Sequence, residues 1–530
     1  MDLNHLGNWW VWLWVSVICS VAATFVVRVW WIPVRKQKFL RSQGIHGPKY
    51  KLLFGNTQEL QQIKIRAKSA SASMDLMQMP HDIAARVVPH IHVWAKHYGK
   101  IFVYWLGTTA RIVIHDPEMV KQILSNKFGH YQKPEPTLPL KRLGGVYGLA
   151  STDGEMWARH RRLLNPAFHL ESLKLMVPVV AASSAVMLEK WENAVGNGDG
   201  VKEIEVSQEF RCVASDIIAR TAFGTNFEKG KHVFQMLAEL AVLAGKSFGT
   251  IDFPGSRFLP TPSNLRSRKL DKDIQKSLEK MILNRKRSAE MGKSDSYGTD
   301  LLGIMMDGYK DELKGNKNTN FVSSSLEHMV DESRTFFIAG NETTATLLTW
   351  TLILLGMHTD WQDRARQEVL HLFNKQIPNA DALPHLKIVN MILYEVLRLY
   401  PAVPAMSRKT YKEMQLENIT IPAGVELMLP IIALHHDVEL WGKDVHEFNP
   451  NRFSQGISKA STHPAAFTGF GFGPRTCIGQ NFALIEAKVM LTMILQRFSF
   501  VVSPAYVHAP ALIFTLLPLH GAQVIFQHLQ

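Results

Sequence analysis

Phe470-Gly471-Phe472-Gly473-Pro474-Arg475-Thr476-Cys477-Ile478-Gly479 places one thiol inside a glycine-rich turn, directly ahead of an apolar segment with helical character. Glycines open backbone conformations closed to other residues, so amide N–H groups can turn toward the sulfur and hold its negative charge. A lone cysteine is ordinarily a small buried hydrophobe, but these ten residues argue otherwise. Such a turn presents a single thiolate to a haem iron, where a cysteine ligand pushes electron density onto the metal and favours O–O cleavage.

The rest of the chain is compatible with that reading. Its 530 residues are enough for one large or two average domains, and 46% apolar with 20% charged residues is ordinary for a globular protein. Only three cysteines occur, Cys19, Cys212 and Cys477. A disulfide framework is therefore not expected, and the body is read as facing a reducing compartment. The net charge of +13 comes from dispersed Lys and Arg residues without an aromatic-interleaved basic motif. That excludes a nucleic-acid reading and leaves a membrane surface or an acidic protein as partners. The cluster Arg159, Arg161 and Arg162, with Lys488 and Arg497, is the expected docking patch for an electron donor.

From Leu6 to Val27 no residue carries a formal charge, Trp9, Trp10, Trp12 and Trp14 crowd one end, and Trp30 and Trp31 mark the other. The stretch is long enough to cross a bilayer as a helix, and tryptophans suit its interfaces. The basic residues Arg28, Arg35, Lys36, Lys38 and Arg41 follow, which leaves the bulk of the chain in the cytosol. A cleaved signal peptide is disfavoured by the length of the segment and its lack of a basic start. The expected organisation is an anchor over 1–32, ended by a helix break at Ile32-Pro33, a basic Gly/Pro linker over 33–48, and a catalytic body over 49–530. A hairpin is expected near Ile101–Trp105 and Ala110–Ile114, and helices elsewhere. The polar interval Ser288–Asn320 reads as a mobile surface connection.

Other motifs carry chemistry. A helical pattern from Ser325 to about His358 is interrupted by Ala339-Gly340-Asn341-Glu342-Thr343-Thr344. Gly340 would open room for dioxygen, Thr343 would offer it a hydroxyl, and Glu342 would relay protons from solvent. The plain alternative is a threonine bonding back to a preceding carbonyl and bending the helix. Glu395-Val-Leu-Arg398 puts a carboxylate and a guanidinium on one helix face, and Trp157-Ala-Arg-His-Arg161 does the same for an indole donor and a guanidinium. The 22 histidines, including His435-His436, show no metal spacing such as H-E-x-x-H and receive no catalytic role. No nucleophile elbow, Rossmann or Walker fingerprint is present, so electrons must come from a separate flavoprotein.

Along the chain, the Trp157–Arg161 segment, the acid–alcohol block, the Glu-x-x-Arg pair and then Phe470, Gly473, Arg475, Cys477 and Gly479, in this order, resemble the cytochrome P-450 superfamily of haem-thiolate monooxygenases. Leu164-Asn-Pro-Ala-Phe168, Leu348-Thr-Trp350 and Ile478-Gly-Gln-Asn-Phe482-Ala look like the plant clan that includes secologanin synthase, cytokinin hydroxylase and the brassinosteroid-inactivating hydroxylases. The resemblance implies a mainly α fold with small β-sheets, a single haem domain behind a transmembrane helix. It also implies haem b, an endoplasmic-reticulum location, and electrons from NADPH through NADPH–cytochrome P-450 reductase. By resemblance, Trp157, Arg161, Arg408 and Arg475 hold the haem propionates, and Arg452 closes the structural pair Glu395 and Arg398. Asn451 stands where many members carry Glu.

Matching positions imply a distal wall of Phe336, Phe337, Ala339, Ala402, Val403, Pro404, Leu512, Ile513 and Phe514. An apolar wall suits a lipophilic substrate, which points to hydroxylation of an isoprenoid skeleton, a triterpenoid or a terpenoid-derived hormone. Fatty-acid hydroxylation is the nearest rival. A haem-thiolate isomerase or dehydratase, disfavoured by the intact Glu342 and Thr343, and a non-enzymatic membrane scaffold are the alternatives from other classes.

Overall fold

The computed structural model describes residues 3–529 apart from 70–80, 127–128, 197–199, 225–226, 246–258, 293–295 and 316–318. Helices dominate, and the strands collect in small sheets.

The first helix, Leu3–Val26, runs through a π-helical turn, Val27–Trp31, straight into a second, Ile32–Ser42. The break expected at Ile32-Pro33 does not occur. Proline is tolerated in the first turn of a helix, and the π turn places Pro33 in one, with the Ile32 N–H reaching back to the Val27 carbonyl. Pro33 has no N–H for the carbonyl of Val29, and the Tyr50 hydroxyl donates to that oxygen instead. Residues 33–48, expected as a linker, are docked on the body. Pro33, Gln37 and Leu40 share one buried face. Lys36 donates to the Ala423 carbonyl at 2.7 Å, and the Gln43 amide both donates to and accepts from the Thr420 backbone at 2.9 and 2.7 Å. Outward from this dock every residue from Trp9 to Val26 is exposed. The segment Trp9–Ser42 holds an 18-residue stretch of mean hydropathy 2.1, long and apolar enough to span a bilayer. Leu170–Val195 passes the same test of length and apolarity, but Leu173, Val177, Val180 and Leu188 are buried, which makes it a core helix.

The expected hairpin forms with Ile101–Leu106 antiparallel to Thr109–Ile114 and Trp105 opposite Ala110. Glu426–Leu429 adds in parallel, followed by Met406–Thr410 and Tyr131–Gln132, giving a five-stranded sheet. Gln523–His528 lies between Val201–Glu205 and Phe498–Val502 and ties the C-terminal segment to the middle of the chain.

The helix Thr319–Met357 is the central pillar, with Leu352, Ile353, Leu354 and Leu355 fully buried. It continues unbroken through Gly340. A Cβ on Gly340 would lie 2.8 Å from Ile218 Cδ1, so the glycine admits close approach of the helix Val206–Phe223. The expectation of a surface connection over Ser288–Asn320 is corrected by the helix Leu301–Gly315. Its Leu301, Leu302, Met305, Met306 and Tyr309 are buried. That apolar stripe has helical spacing, but the polar average of the interval conceals it.

Candidate active site

Gly471 and Gly473 take φ of +80° and +72°, and a Cβ on Gly473 would sit 2.4 Å from the Leu124 carbonyl oxygen. Both features demand glycine. The turn closes when the Cys477 N–H donates to the Phe470 carbonyl at 2.9 Å. The helix Gln480–Leu495 then begins with Gly479 as its N-cap and no acidic residue in its first turn. The Gly479 N–H donates to the Cys477 thiol, so unpaired amides and the positive helix end face the sulfur. Cys477 is enclosed by protein yet keeps accessible surface, because it opens onto an internal cavity. Burial pushes its thiol up, while the Gly479 N–H and the Arg161 charge pull it back.

Arg161 donates from Nη1 to the Thr476 carbonyl at 2.8 Å and from Nε to Asn165 Oδ1 at 2.9 Å, beside the cysteine. Arg475 lines the cavity, lies 4.5 Å over the Trp157 ring, donates to the Thr152 carbonyl at 2.8 Å and pairs with Asp153. Arg408, on the strand Met406–Thr410, is buried, and burial and Arg475 lower its pKa to about 10. Lys133 joins them, although the sequence carried no local signal for it. Burial, Arg475 and Arg408 lower its pKa to about 7. The Asp153 carboxylate acts on all three of these cations, and Glu332 acts on Lys133 as well. The cluster is left with a positive excess, of the sign that propionates would neutralise.

Successive residues on a helix point about 100° apart, and this separates the acid–alcohol block. Thr343 and Gly340 line the cavity that holds Cys477. Glu342 instead lines a neighbouring, more polar cavity with Arg211, Asp216 and Arg220. Its carboxylate lies 3.8 Å from the Arg211 guanidinium, and burial raises its pKa. The Thr343 hydroxyl donates to the Ala339 carbonyl at 2.5 Å, so the back-bonding alternative is realised. The room expected beside Gly340 for dioxygen is in part filled by Ile218.

Glu395 and Arg398, both fully buried on the helix Lys387–Leu399, pair through two bonds of 2.8 and 2.7 Å. Arg452 Nε lies 3.4 Å from Glu395 Oε1, and the Asn449 N–H donates to the same oxygen at 3.0 Å. The rest of the Arg398 fork is spent on the carbonyls of His435, Val445 and Glu447. His435 accepts the Thr468 N–H at 3.0 Å through Nε2, which leaves Nδ1–H to donate to the Arg398 carbonyl at 3.1 Å. One neutral ring thus joins the buried ion pair to the cysteine turn.

A family profile described as Cytochrome P450 matches residues 75–524. The chain is 44% identical to Cytochrome P450 CYP72A616 of Paris polyphylla across all of both chains. The chain belongs to the cytochrome P450 family. It is also 41% identical to Cytochrome P450 734A1 of Arabidopsis thaliana, covering 97% of each chain, and 39% identical to an 11-oxo-beta-amyrin 30-oxidase of Glycyrrhiza uralensis, covering 98% of each. A structure titled retinoic acid bound cyanobacterial CYP120A1 superposes with TM-score 0.68 over 82% of this chain and 93% of that one, at 24% identity, which shows a shared P450 fold.

The P450 family implies haem iron, and the residues present fit it: a thiol opening onto a cavity, beside a cluster of cations in which Arg475 pairs with Asp153 while Arg408 and Lys133 bond backbone carbonyls. Phe336, Ala339, Ala402 and Val403 line that cavity. Phe337, one position on along the helix, turns away and stacks on Phe234 at 4.3 Å. Pro404 is not on this wall, and its carbonyl accepts the Ile432 N–H. Ile513 and Phe514 line the Glu342 cavity instead, and the Leu512 side chain is exposed on a short hairpin. Phe168, Met176, Leu301 and Leu347 add to the apolar lining. They come from four separate segments, so no local pattern could group them. The expected docking patch is also largely spent. Arg159 lies over Tyr309, Arg161 is in the cysteine site, Arg497 holds Glu192, and Lys488 reaches the Leu383 carbonyl. Arg162 is the exposed member.

Proposed function

We propose that this P450 hydroxylates a lipophilic isoprenoid-type substrate, of triterpenoid or terpenoid-hormone class, using dioxygen and electrons from NADPH through a separate reductase. The observation that carries the reading is the Cys477 thiol opening onto a cavity lined mainly by apolar side chains, with Thr343 on its wall. The similarity to a β-amyrin-derived oxidase favours the isoprenoid class. Haem held through a thiolate supplies oxygen activation for insertion into a C–H bond. Cys477 is the iron ligand, and Gly479 and the end of its helix hold the sulfur charge, while Phe470 and Gly473 shape the turn. Arg408, Arg475 and Lys133 would hold the haem propionates, with Trp157 and Arg161 positioning the cluster and the turn.

Thr343 donates its hydroxyl hydrogen to the Ala339 carbonyl, so its oxygen is left to accept a hydrogen bond from the cavity side. Glu342 draws protons from the polar cavity beyond, its raised pKa keeping a proton available closer to neutrality. Phe336, Ala402 and Val403 exclude water and orient the substrate. The N-terminal helix holds the protein in the endoplasmic-reticulum membrane as a single pass, with the body in the cytosol.

The test uses microsomes supplemented with NADPH–cytochrome P-450 reductase and a panel of triterpenoids, terpenoid hormones and fatty acids. Wild type is expected to show a thiolate-shifted carbon monoxide spectrum, a substrate-induced spin change with isoprenoids, and product only with NADPH and oxygen. Cys477→Ala should lose both spectrum and product. Hydroperoxide turnover without NADPH, or a spin change with fatty acids alone, overturns the proposal.

A further inference from the structure

Asp82, His436 and His446 come from segments far apart in sequence, and one ligand atom from each falls within 4.8 Å of the others. None of the three lines the Cys477 cavity. His436 caps the helix Ile431–His435, is buried, and has its Nε2 2.9 Å from the Leu399 carbonyl. That bond requires the proton on Nε2, so Nδ1 presents a lone pair, and this atom is buried without a hydrogen-bond partner. His446 Nδ1 is likewise buried and unpartnered. The two rings stand 5.6 Å apart at 58°. Buried polar atoms are normally satisfied, and two orphaned imidazole nitrogens on adjacent rings, with a carboxylate in ligand reach of both residues, lack only a shared partner.

The frame holding these ligands is rigid. Arg398 donates to the carbonyls of Val445 and Glu447, which flank His446, and to that of His435, beside His436. The His81 N–H, next to Asp82, donates to the His446 carbonyl at 3.0 Å. Asp82 is exposed, which provides an entry route. Two imidazoles and a carboxylate suit a tetrahedral cation with bonds of about 2.0–2.2 Å and water in the fourth position. Spheroidal alkali and alkaline-earth ions prefer all-oxygen sets. We propose that Asp82, His436 and His446 bind one divalent cation of the zinc class, clamping the segment at residue 82 to the loops that Arg398 organises.

The experiment uses full-length haem-loaded protein, stripped with a chelator and titrated with zinc chloride against a chromophoric zinc indicator. Asp82→Asn and His446→Ala are run beside wild type. Wild type should take up one equivalent more than either variant at matched free zinc, with affinity at that site falling about tenfold or more on loss of a ligand. Its thermal midpoint should rise with zinc while those of the variants do not. Asp82 is exposed, so Asp82→Asn retains the fold and decides the matter even if His446→Ala does not. Equal uptake by wild type and Asp82→Asn, or an equal thermal shift in both, overturns the site.

Discussion

Thr343 and Glu342 are adjacent in sequence but open on different cavities. The hydroxyl proton of Thr343 is committed to Ala339. What the residue offers the Cys477 cavity is therefore an acceptor oxygen, which a serine would keep and an alanine would not. Thr343→Ala should retain the carbon monoxide spectrum, release several-fold more hydrogen peroxide per NADPH consumed, and give correspondingly less product, while Thr343→Ser should stay coupled. Undiminished coupling in the alanine variant would show that the hydroxyl merely bends the helix. At this scale the sequence named the residue types of the block but not their geometry. The motif names residue types, and the turn of about 100° per residue sends neighbours to opposite rooms. The same turn misled the reading of Phe337, which stacks on Phe234 while Phe336 stacks on Phe168 at 5.6 Å across the cavity lining.

Between elements, the buried pair on Lys387–Leu399 organises the loops behind the cysteine turn. Removing one member of a fully buried ion pair strands the other charge, at a cost of about 3–5 kcal/mol. Glu395→Ala leaves Arg398 and Arg452 facing each other without the carboxylate, and the expected result is a protein that fails to retain haem and unfolds at lower denaturant. Normal haem content and an unchanged midpoint would contradict this. The helix after the cysteine carries a separate strain. Glu486 is buried, its Oε1 has no hydrogen-bond partner, and burial pushes its pKa well above the carboxylate range. A pKa raised by folding means the contribution is intact below the unfolded value near 4.5 and declines as pH rises toward the folded value. Glu486→Gln should match wild type near pH 4.5 and exceed it at pH 8, the gap growing by about 1.4 kcal/mol per pH unit between the two ionisation points. Parallel thermal midpoints from pH 5 to 8 would refute it. The i, i+3 spacing made Glu395 and Arg398 legible, because a local helix face is written in the sequence. The carbonyls of Val445 and Glu447, the ring of His435 and the amine of Lys133 were not, since each arrives from a segment distant in sequence whose path only tertiary packing decides.

Across the whole molecule, the apolar N-terminal helix was legible because length, apolarity and flanking tryptophans are compositional, whereas its continuation past Pro33 depends on a π turn and on the Tyr50 hydroxyl. This distinction governs what a truncation does. Removing residues 1–31 deletes the exposed span together with the Val29 carbonyl that Tyr50 satisfies, but keeps the docked face of Pro33, Gln37 and Leu40. The body should therefore still load haem and give an unchanged carbon monoxide spectrum. It should not become indifferent to membranes, because Phe39, Leu52 and Phe54 remain exposed near the start of the body, alongside basic Arg35, Lys38 and Lys51. Apolar side chains with neighbouring cations bind an anionic interface weakly and reversibly. Flotation with vesicles containing anionic lipid should thus find the truncated protein divided between lipid and buffer at low salt and released by high salt, whereas the full chain stays with lipid throughout. Adding Leu52→Ser and Phe54→Ser to the truncation should leave it in the buffer at either ionic strength. If the truncated form alone already fails to float at low salt, the single helix accounts for all membrane affinity and the body has no lipid-facing surface of its own.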